Sequence, residues 1–115
     1  MKYKRGDVVL VLFPNSDLRT AKRRPVLIIQ RDDLASGLNQ HLVAMISSNL
    51  ARVNHPSRVL IRLDTEEGRQ TGLLTDSVIM TDNIATIHDN ELDIILGHVN
   101  DYSMVEKALK HTFGL

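Results

Sequence analysis

The feature that most constrains this chain is a series of short apolar runs, rich in β-branched residues, separated by polar turn-forming segments. This pattern predicts strands at residues 7–13, 25–30, 42–47, 57–64, 73–81 and 83–88. The intervening segments 14–24, 31–40 and 48–56 are predicted loops, and 65–71 is a predicted polar turn. Pro25 has no N–H to donate, so it should lie at the start or edge of its strand.

The C-terminal segment has a different periodicity, and a helix is predicted over residues 101–113. Gly114 lies where a left-handed glycine ends many helices. Residues 89–100 fit a helical turn and a strand equally well. The apolar face of the predicted helix repeats at i, i+3, i+4 and i+7 at Val105, Ala108, Leu109 and Thr112. Many short strands followed by one helix favour a mainly β fold, a small barrel with a C-terminal helix, in one domain spanning residues 1–115.

Charge is distributed unevenly along the chain, although the formal net charge is zero. Residues 1–62 contain 11 Lys and Arg against 4 Asp and Glu, whereas residues 63–115 contain 3 against 10. Such asymmetry indicates a surface that binds a polyanion, or two halves whose charges mix on one folded surface.

Several classes of site and location are not indicated by the residues present. There is no cysteine, and no apolar run is long enough for a signal segment or a membrane span. We therefore expect a cytoplasmic protein that does not enter a membrane. The five histidines show no metal-binding spacing, and a two-histidine mechanism requires the fold to bring two of them together. No metal or cofactor is expected.

Three segments together resemble a known family. Residues 5–18 read RGDVVLVLFPNSDL and residues 21–29 read AKRRPVLII. Residues 44–49 read AMISSN, and looser matches run from Gly72 to Ile84. These motifs resemble those of the MazF/PemK toxins of type II toxin–antitoxin systems. The resemblance implies the CcdB/MazF-like fold, which is an SH3-like β-barrel with a C-terminal helix. It also implies an endoribonuclease that cuts single-stranded RNA at particular sequences without a metal and leaves 2′,3′-cyclic phosphate ends.

The resemblance also implies two catalytic residues, Arg24 and Ser47. Pro25 restricts Arg24 to extended backbone angles, and a guanidinium held in this way suits bidentate phosphate binding. The alternative is an ordinary surface arginine beside a strand proline. Ser47 stands where the family usually has threonine and offers the same hydroxyl. The alternative is that Ser47 is an ordinary serine in the turn at the end of a strand.

RNA contacts are implied at further positions. Lys22 and Arg23 would bind phosphates without reading sequence, although a run of cations is also consistent with a solvated loop. Asn83 and Ala85 stand where many members carry Gln and Arg, which leaves a weakened enzyme as an alternative. The full predicted RNA-binding set is Asp17, Arg19, Lys22, Arg23, Ser48 and Asn83.

The implied partners are single-stranded RNA, a second copy of the chain in a homodimer, and a cognate antitoxin with a disordered acidic tail. Two other functions remain open. One is a gyrase poison resembling CcdB, whose members end in an aromatic-Gly-aliphatic tail, as this chain does at Phe113, Gly114 and Leu115. The other is a catalytically inactive module that binds RNA or an antitoxin.

Overall fold

A computed structural model of the protein describes residues 2–14, 17, 19 and 21–115. Within these residues, six strands form one antiparallel sheet, and the predicted mainly β fold with a C-terminal helix is confirmed. Its elements are β1 (Asp7–Pro14), β2 (Ala21–Ile28), β3 (Gln40–Ser47), β4 (Arg58–Ile61), α1 (Glu66–Gln70), β5 (Ser77–His88), a 3₁₀ turn (Asp89–Glu91), β6 (Leu92–His98) and α2 (Ser103–Phe113). The strand order across the sheet is β4-β5-β3-β2-β1-β6.

The sheet carries an apolar layer on each face, which explains why its central strands are apolar throughout. On one face Val8 packs with Leu27 in a layer that α2 covers. On the other face Val9 packs with Val26 and with Tyr3 from the N-terminal segment. Successive strand residues point to opposite faces, so a strand covered on both sides shows no alternation of apolar and polar residues.

Strand β2 begins earlier than predicted, because pairing with β1 extends back to Ala21. The predicted loop 14–24 is therefore wrong at its C-terminal end; residues 15, 16, 18 and 20 of that loop lie outside the described part of the chain. Pro25 lies inside β2 rather than at its start. The pairing of β2 with β3 covers only Val26, Leu27 and Ile28, so it stops next to Pro25, which lacks an N–H.

Strand β5 is continuous where two strands were predicted. Met80 pairs with Met45 and Ile84 pairs with Ala44, so residues 81–83 are inserted as a bulge against β3. A bulge bends a strand while keeping its pairing on both sides. The polar residue Asp82 therefore marks a bend in one strand and not a break between two. Residues 73–76, predicted as strand, precede β5.

The predicted turn at 65–71 contains the short helix α1, and the strand predicted at 57–64 ends at Ile61. The side chain of Thr65 accepts a hydrogen bond from the Gly68 amide at 3.0 Å and caps the helix. Gly68 is buried against the Arg62 carbonyl oxygen, which would lie 1.8 Å from an added Cβ. A five-residue helix is too short to show helical periodicity, which is why the pattern did not predict it.

The C-terminal prediction is confirmed, with α2 beginning two residues later than expected. Gly114 adopts the left-handed conformation with φ of 70°, and its amide donates to the carbonyl oxygens of the last turn. The ambiguous segment 89–100 contains the 3₁₀ turn followed by β6, which pairs with β1 at the edge of the sheet.

Candidate functional site

Arg24 and Ser47 lie on neighbouring strands, close to the point where pairing between β2 and β3 ends. The last pair is Val26 with Met45, so Arg24 and Ser47 each lie two residues beyond the same end of the paired segment. Because side chains two residues apart share a face of the sheet, both project from the face of Val26 and Met45. Arg24 is exposed and Ser47 is half-buried. The fold therefore brings the two predicted catalytic residues to one face.

Ser47 opens onto a small basic cavity of about 160 Å³. Its hydroxyl oxygen accepts a hydrogen bond from the Asn49 amide at 3.0 Å, which holds the hydroxyl at the strand end. The residues that line the cavity are Ser47, Asn49, Ala51, Arg52, Arg58 and Met80. Two of these are arginines, so the cavity combines a hydroxyl with positive charge, as a phosphate site requires.

One of these arginines is fixed by a carboxylate. Across the β4–β5 pair, Arg58 Nε lies 2.8 Å from Asp82 Oδ1, and Nη2 donates to Oδ2 at 3.1 Å. The side chain of Arg58 is 15% exposed and that of Asp82 is 40% exposed. Burial opposes ionisation of the Asp82 carboxyl, but the hydrogen bond from Arg58 and its positive charge outweigh burial and lower the pKa of Asp82 below its ordinary value. Asp82 therefore stays ionised at neutral pH and holds the guanidinium in place.

The cations of the predicted RNA-binding loop lie at the end of the β1–β2 hairpin. Lys22 is exposed, and the register places it opposite Phe13. Arg23 forms an ion pair with Asp93 of β6, with Nη2 and Oδ2 3.2 Å apart and both side chains about half exposed. Arg23 and Asp93 also line a cavity of about 440 Å³ together with Glu91. Arg23 thus faces carboxylates of the acidic half of the chain.

Four other predicted residues lie on the surface. Asp17 and Arg19 are exposed, and the Arg19 amide donates to Asp17 Oδ1 at 2.9 Å. Ser48 is exposed immediately after β3, and Asn83 is exposed on the β5 bulge beside Asp82. None of these four side chains lines the cavity at Ser47.

Residues 4–113 match the family described as PemK-like, MazF-like toxin of type II toxin–antitoxin system. The chain belongs to this family. It is 36% identical over 107 residues to endoribonuclease MazF6 of Mycobacterium tuberculosis, an alignment that covers 90% of each chain. It is 31% identical over 118 residues to endoribonuclease EndoA of Bacillus subtilis, covering all of this chain and 97% of that one.

Solved structures of MazF toxins share the fold of this MazF-like chain. The Mycobacterium tuberculosis toxin MazF-mt6 has a TM-score of 0.71 at 24% identity, covering 94% of this chain and 97% of that one. An endoribonuclease in complex with its cognate antitoxin from Mycobacterial species has a TM-score of 0.73 at 23% identity, covering 98% and 96%. MazE–MazF of Deinococcus radiodurans has a TM-score of 0.71 at 13% identity, covering 100% and 99%. At these identities the likeness establishes the fold.

The predicted MazF/PemK family is confirmed, and the relatives' names agree with RNA cleavage rather than with gyrase poisoning. The roles of the individual residues stay predictions. The sequence did not single out Arg52 and Arg58, which line the cavity, or Asp82, which pairs with Arg58. Arg58 precedes Asp82 by 24 residues, so only the pairing of β4 with β5 reveals that the two form an ion pair.

In the part of the MazF-like chain that the structure describes, no three His, Cys, Asp or Glu side chains converge as a metal site. The positive charges seen at the cavity are guanidinium groups. None of the helices in those residues is long and apolar enough to cross a membrane.

Proposed function

We propose that this MazF-like toxin is an endoribonuclease that cleaves single-stranded RNA without a metal ion, with Arg24 and Ser47 as catalytic residues. One observation supports the proposal: β2 and β3 pair as far as Val26 and Met45, two residues from Arg24 and Ser47, and Ser47 opens onto a cavity lined by Arg52 and Arg58. A hydroxyl and several guanidiniums on one surface suit a phosphodiester that gains negative charge as it reacts.

In the proposed reaction the 2′ oxygen of a ribose attacks the adjacent phosphorus and gives its proton to solvent water. The bond from phosphorus to the 5′ oxygen of the next nucleotide breaks, and that oxygen takes a proton from solvent water. The products are a 2′,3′-cyclic phosphate and a 5′-hydroxyl end. Arg24 stabilises the charge on the phosphate oxygens in the transition state, a role that oriented cations and donors fill in other enzymes. A guanidinium holds its protons too tightly to be an effective acid, so we assign Arg24 an electrostatic role only.

Ser47 donates a hydrogen bond from its hydroxyl to the scissile phosphate, while its oxygen keeps the hydrogen bond from the Asn49 amide. Arg58, which Asp82 fixes, supplies a second positive charge to the same phosphate. The nucleophile is the substrate's own 2′-hydroxyl, so the reaction selects RNA over DNA. In this proposal the RNA on either side of the cleaved bond is contacted by the remaining predicted residues: Lys22, Arg23, Arg19, Asp17, Ser48 and Asn83.

The partners are part of the same proposal. The protein forms a homodimer in the cytoplasm in this proposal. Exposed apolar side chains on β4 and α2, among them Leu60, Met104 and Phe113, support the homodimer. A cognate antitoxin with an acidic tail would compete with RNA for Lys22, Arg23 and Arg24. Reversing the charge of these three residues should abolish antitoxin capture, and unchanged capture would contradict this part.

The gyrase alternative has little support in the C-terminal residues. Gly114 ends α2 as a left-handed cap, a structural role that needs no gyrase contact. Deleting residues 113–115 should spare RNA cleavage, whereas a gyrase poison would lose its activity in a supercoiling assay.

The test is cleavage of a long single-stranded RNA in EDTA, with the ends mapped and identified. We expect discrete cuts with 2′,3′-cyclic ends, and Arg24→Ala should slow cutting by about 100-fold or more, the range for loss of one transition-state donor. Arg62→Ala is the matched control, since Arg62 is exposed and pairs with Asp64 away from the cavity.

The two adjacent serines provide a second matched pair. Ser47→Ala should lower kcat, Ser47→Thr should restore it, and Ser48→Ala should alter KM alone, because Ser48 does not line the cavity. Equal cutting by wild type and Arg24→Ala, or loss of cutting in EDTA alone, would refute the proposed mechanism.

A further inference from the structure

A cavity of about 460 Å³ lies beside the N-terminal segment, and the proposed reaction does not use it. Its volume is in the range of pockets that bind small ligands. None of its lining residues belongs to β4 or α2, so the apolar surface assigned to the homodimer leaves it open. The residues that line this N-terminal cavity are Lys2, Tyr3, His41, Asp89, Asn90 and Leu92.

One wall of the N-terminal cavity is a buried histidine with an unpaired nitrogen. His41 is 4% exposed, and its Nδ1 lies 2.6 Å from Oδ1 of Asp89. An ionised carboxylate can only accept a hydrogen bond, so Nδ1 carries a proton and Nε2 of the neutral ring is an acceptor. Nε2 is buried, and the described part of the chain offers it no hydrogen-bond partner. An unpaired buried acceptor is costly, so this atom favours a ligand that brings a donor.

The other polar groups of the N-terminal cavity add a second acceptor and two donors. The hydrogen bond between Asp89 and His41 uses Oδ1, which leaves Oδ2 to accept from a ligand; the Asp89 side chain is 34% exposed. Asn90 is exposed, and its side-chain amide can donate. Lys2 supplies a further donor at the rim, with Nζ 5.3 Å from the centre of the Tyr3 ring.

The N-terminal cavity is continuous with the region proposed to hold RNA. The cavity of about 440 Å³ that Arg23 lines shares Asn90 and Leu92 with it, so the two form one trough. His41 lies on β3 six residues before Ser47 and on the same face of the sheet, a distance of at most about 20 Å along the strand. A strand bound at Ser47 can therefore reach the N-terminal cavity within a few nucleotides.

The charges along this trough favour a base over a phosphate. Its charged side chains are three carboxylates, of Asp89, Glu91 and Asp93, and two cations, of Lys2 and Arg23. The excess of carboxylates disfavours a phosphate group. A neutral base is not repelled, and its edge can supply the donors that the two acceptors lack.

We propose that the N-terminal cavity binds a guanine base of the RNA, a few nucleotides from the cleaved bond. The Watson–Crick edge of guanine carries two adjacent donors, N1–H and the N2 amino group, beside one acceptor, O6. Asp89 Oδ2 and His41 Nε2 accept from the donors, and Asn90 donates to O6. Single-stranded RNA exposes this edge. Adenine has a single amino donor on the same edge, and uracil has one N–H between two acceptors, so both match the site less well. This inference rests on the proposed endoribonuclease function.

The test replaces single bases on either side of the mapped cut in a short RNA and measures kcat/KM for cleavage. We expect one flanking guanine whose replacement by inosine, which lacks only the N2 amino group, or by adenine slows wild type about 5- to 100-fold, the range for a lost bidentate base contact. Asp89→Asn should remove the discrimination against inosine, because an amide donor replaces the Oδ2 acceptor. Asn90→Ala, at an exposed position, should weaken the discrimination against adenine. Glu91→Gln is the matched control and should keep both, because Glu91 does not line the N-terminal cavity.

The outcomes separate this inference from the proposed function. If wild type cleaves RNA but requires no flanking guanine, or if Glu91→Gln removes discrimination as fully as Asp89→Asn, the base site is refuted and the nuclease stands. If folded wild type neither binds nor cleaves RNA, both are refuted. If spermidine competes with RNA for wild type but not for Asp89→Asn, while wild type treats guanine and inosine alike, the cavity holds a cation and the base site is refuted.

Discussion

Replacing Asp82 with Asn tests the charge pair that fixes Arg58 at the cavity. The substitution keeps the shape of the side chain but removes the negative charge facing the guanidinium, which is 15% exposed. Asp82 is 40% exposed, so water screens part of the interaction. Exposed pairs contribute up to about 1 kcal/mol and broken buried pairs cost about 3–5 kcal/mol, so we expect the free energy of unfolding at pH 7 to fall by about 1–2 kcal/mol.

The pH dependence of this loss has a definite sign. Folding lowers the pKa of Asp82, so the carboxylate stabilises the protein above the unfolded value, about 3.9, and this contribution is lost as pH falls through the lower folded value. The difference between wild type and Asp82→Asn should stay constant from about pH 7 to 5 and narrow below about pH 4.

Urea unfolding followed by far-ultraviolet circular dichroism suits this chain, which has no tryptophan. Asp64→Asn is the matched control, because its pair with Arg62 is more than half exposed on both sides; its effect should stay within about 0.5 kcal/mol. The reasoning would be refuted if Asp82→Asn lowered the free energy of unfolding by no more than the control does. It would also be refuted if the difference between wild type and Asp82→Asn were the same at pH 3 as at pH 7. The same variant should slow RNA cleavage, since Arg58 is no longer held at the cavity.

Three further changes give separate tests. Asp93→Asn frees Arg23 from its ion pair, so RNA binding in anisotropy assays should tighten a few-fold at low salt and match wild type at high salt, where exposed charges are screened. Thr81→Val removes a hydroxyl that is fully buried and hydrogen-bonded, and urea unfolding should show a loss of about 1–3 kcal/mol. Gly68→Ala places a methyl group 1.8 Å from the Arg62 carbonyl oxygen, so its melting temperature should fall, with a free-energy loss of at least about 1–3 kcal/mol. If any of the three variants gave the same value as wild type in its assay, the contact from which its effect is predicted would be contradicted.

Local patterns in the sequence predicted much of the fold. The apolar runs placed β1 and β3 to within two residues, and the helical periodicity of Val105 and Ala108 placed α2. The resemblance to the MazF/PemK family is confirmed by the match over residues 4–113. The two catalytic residues proposed from that resemblance are the arginine before Pro25 and the serine at the end of β3. These features depend on neighbours within a few positions, and such neighbours are visible in the sequence.

The features that local patterns missed depend on contacts between distant segments. Residues 81–83 resemble a strand break, yet pairing of β5 with β3 on both sides makes them a bulge. Residues 21–24 resemble a loop, yet pairing with β1 makes them strand. In both places the backbone hydrogen bonds of the partner strand outweighed an unfavourable local composition.

The sequence by itself thus determined the strand-rich class, the terminal helix and the family, because each is encoded in short-range periodicity and motif spacing. Only the tertiary structure decided which charges meet: Arg58 with Asp82, Arg23 with Asp93, and His55 beside His111. The physical reason is that strand order and register set these distances, and they arise from the packing of the whole sheet and not from any segment alone.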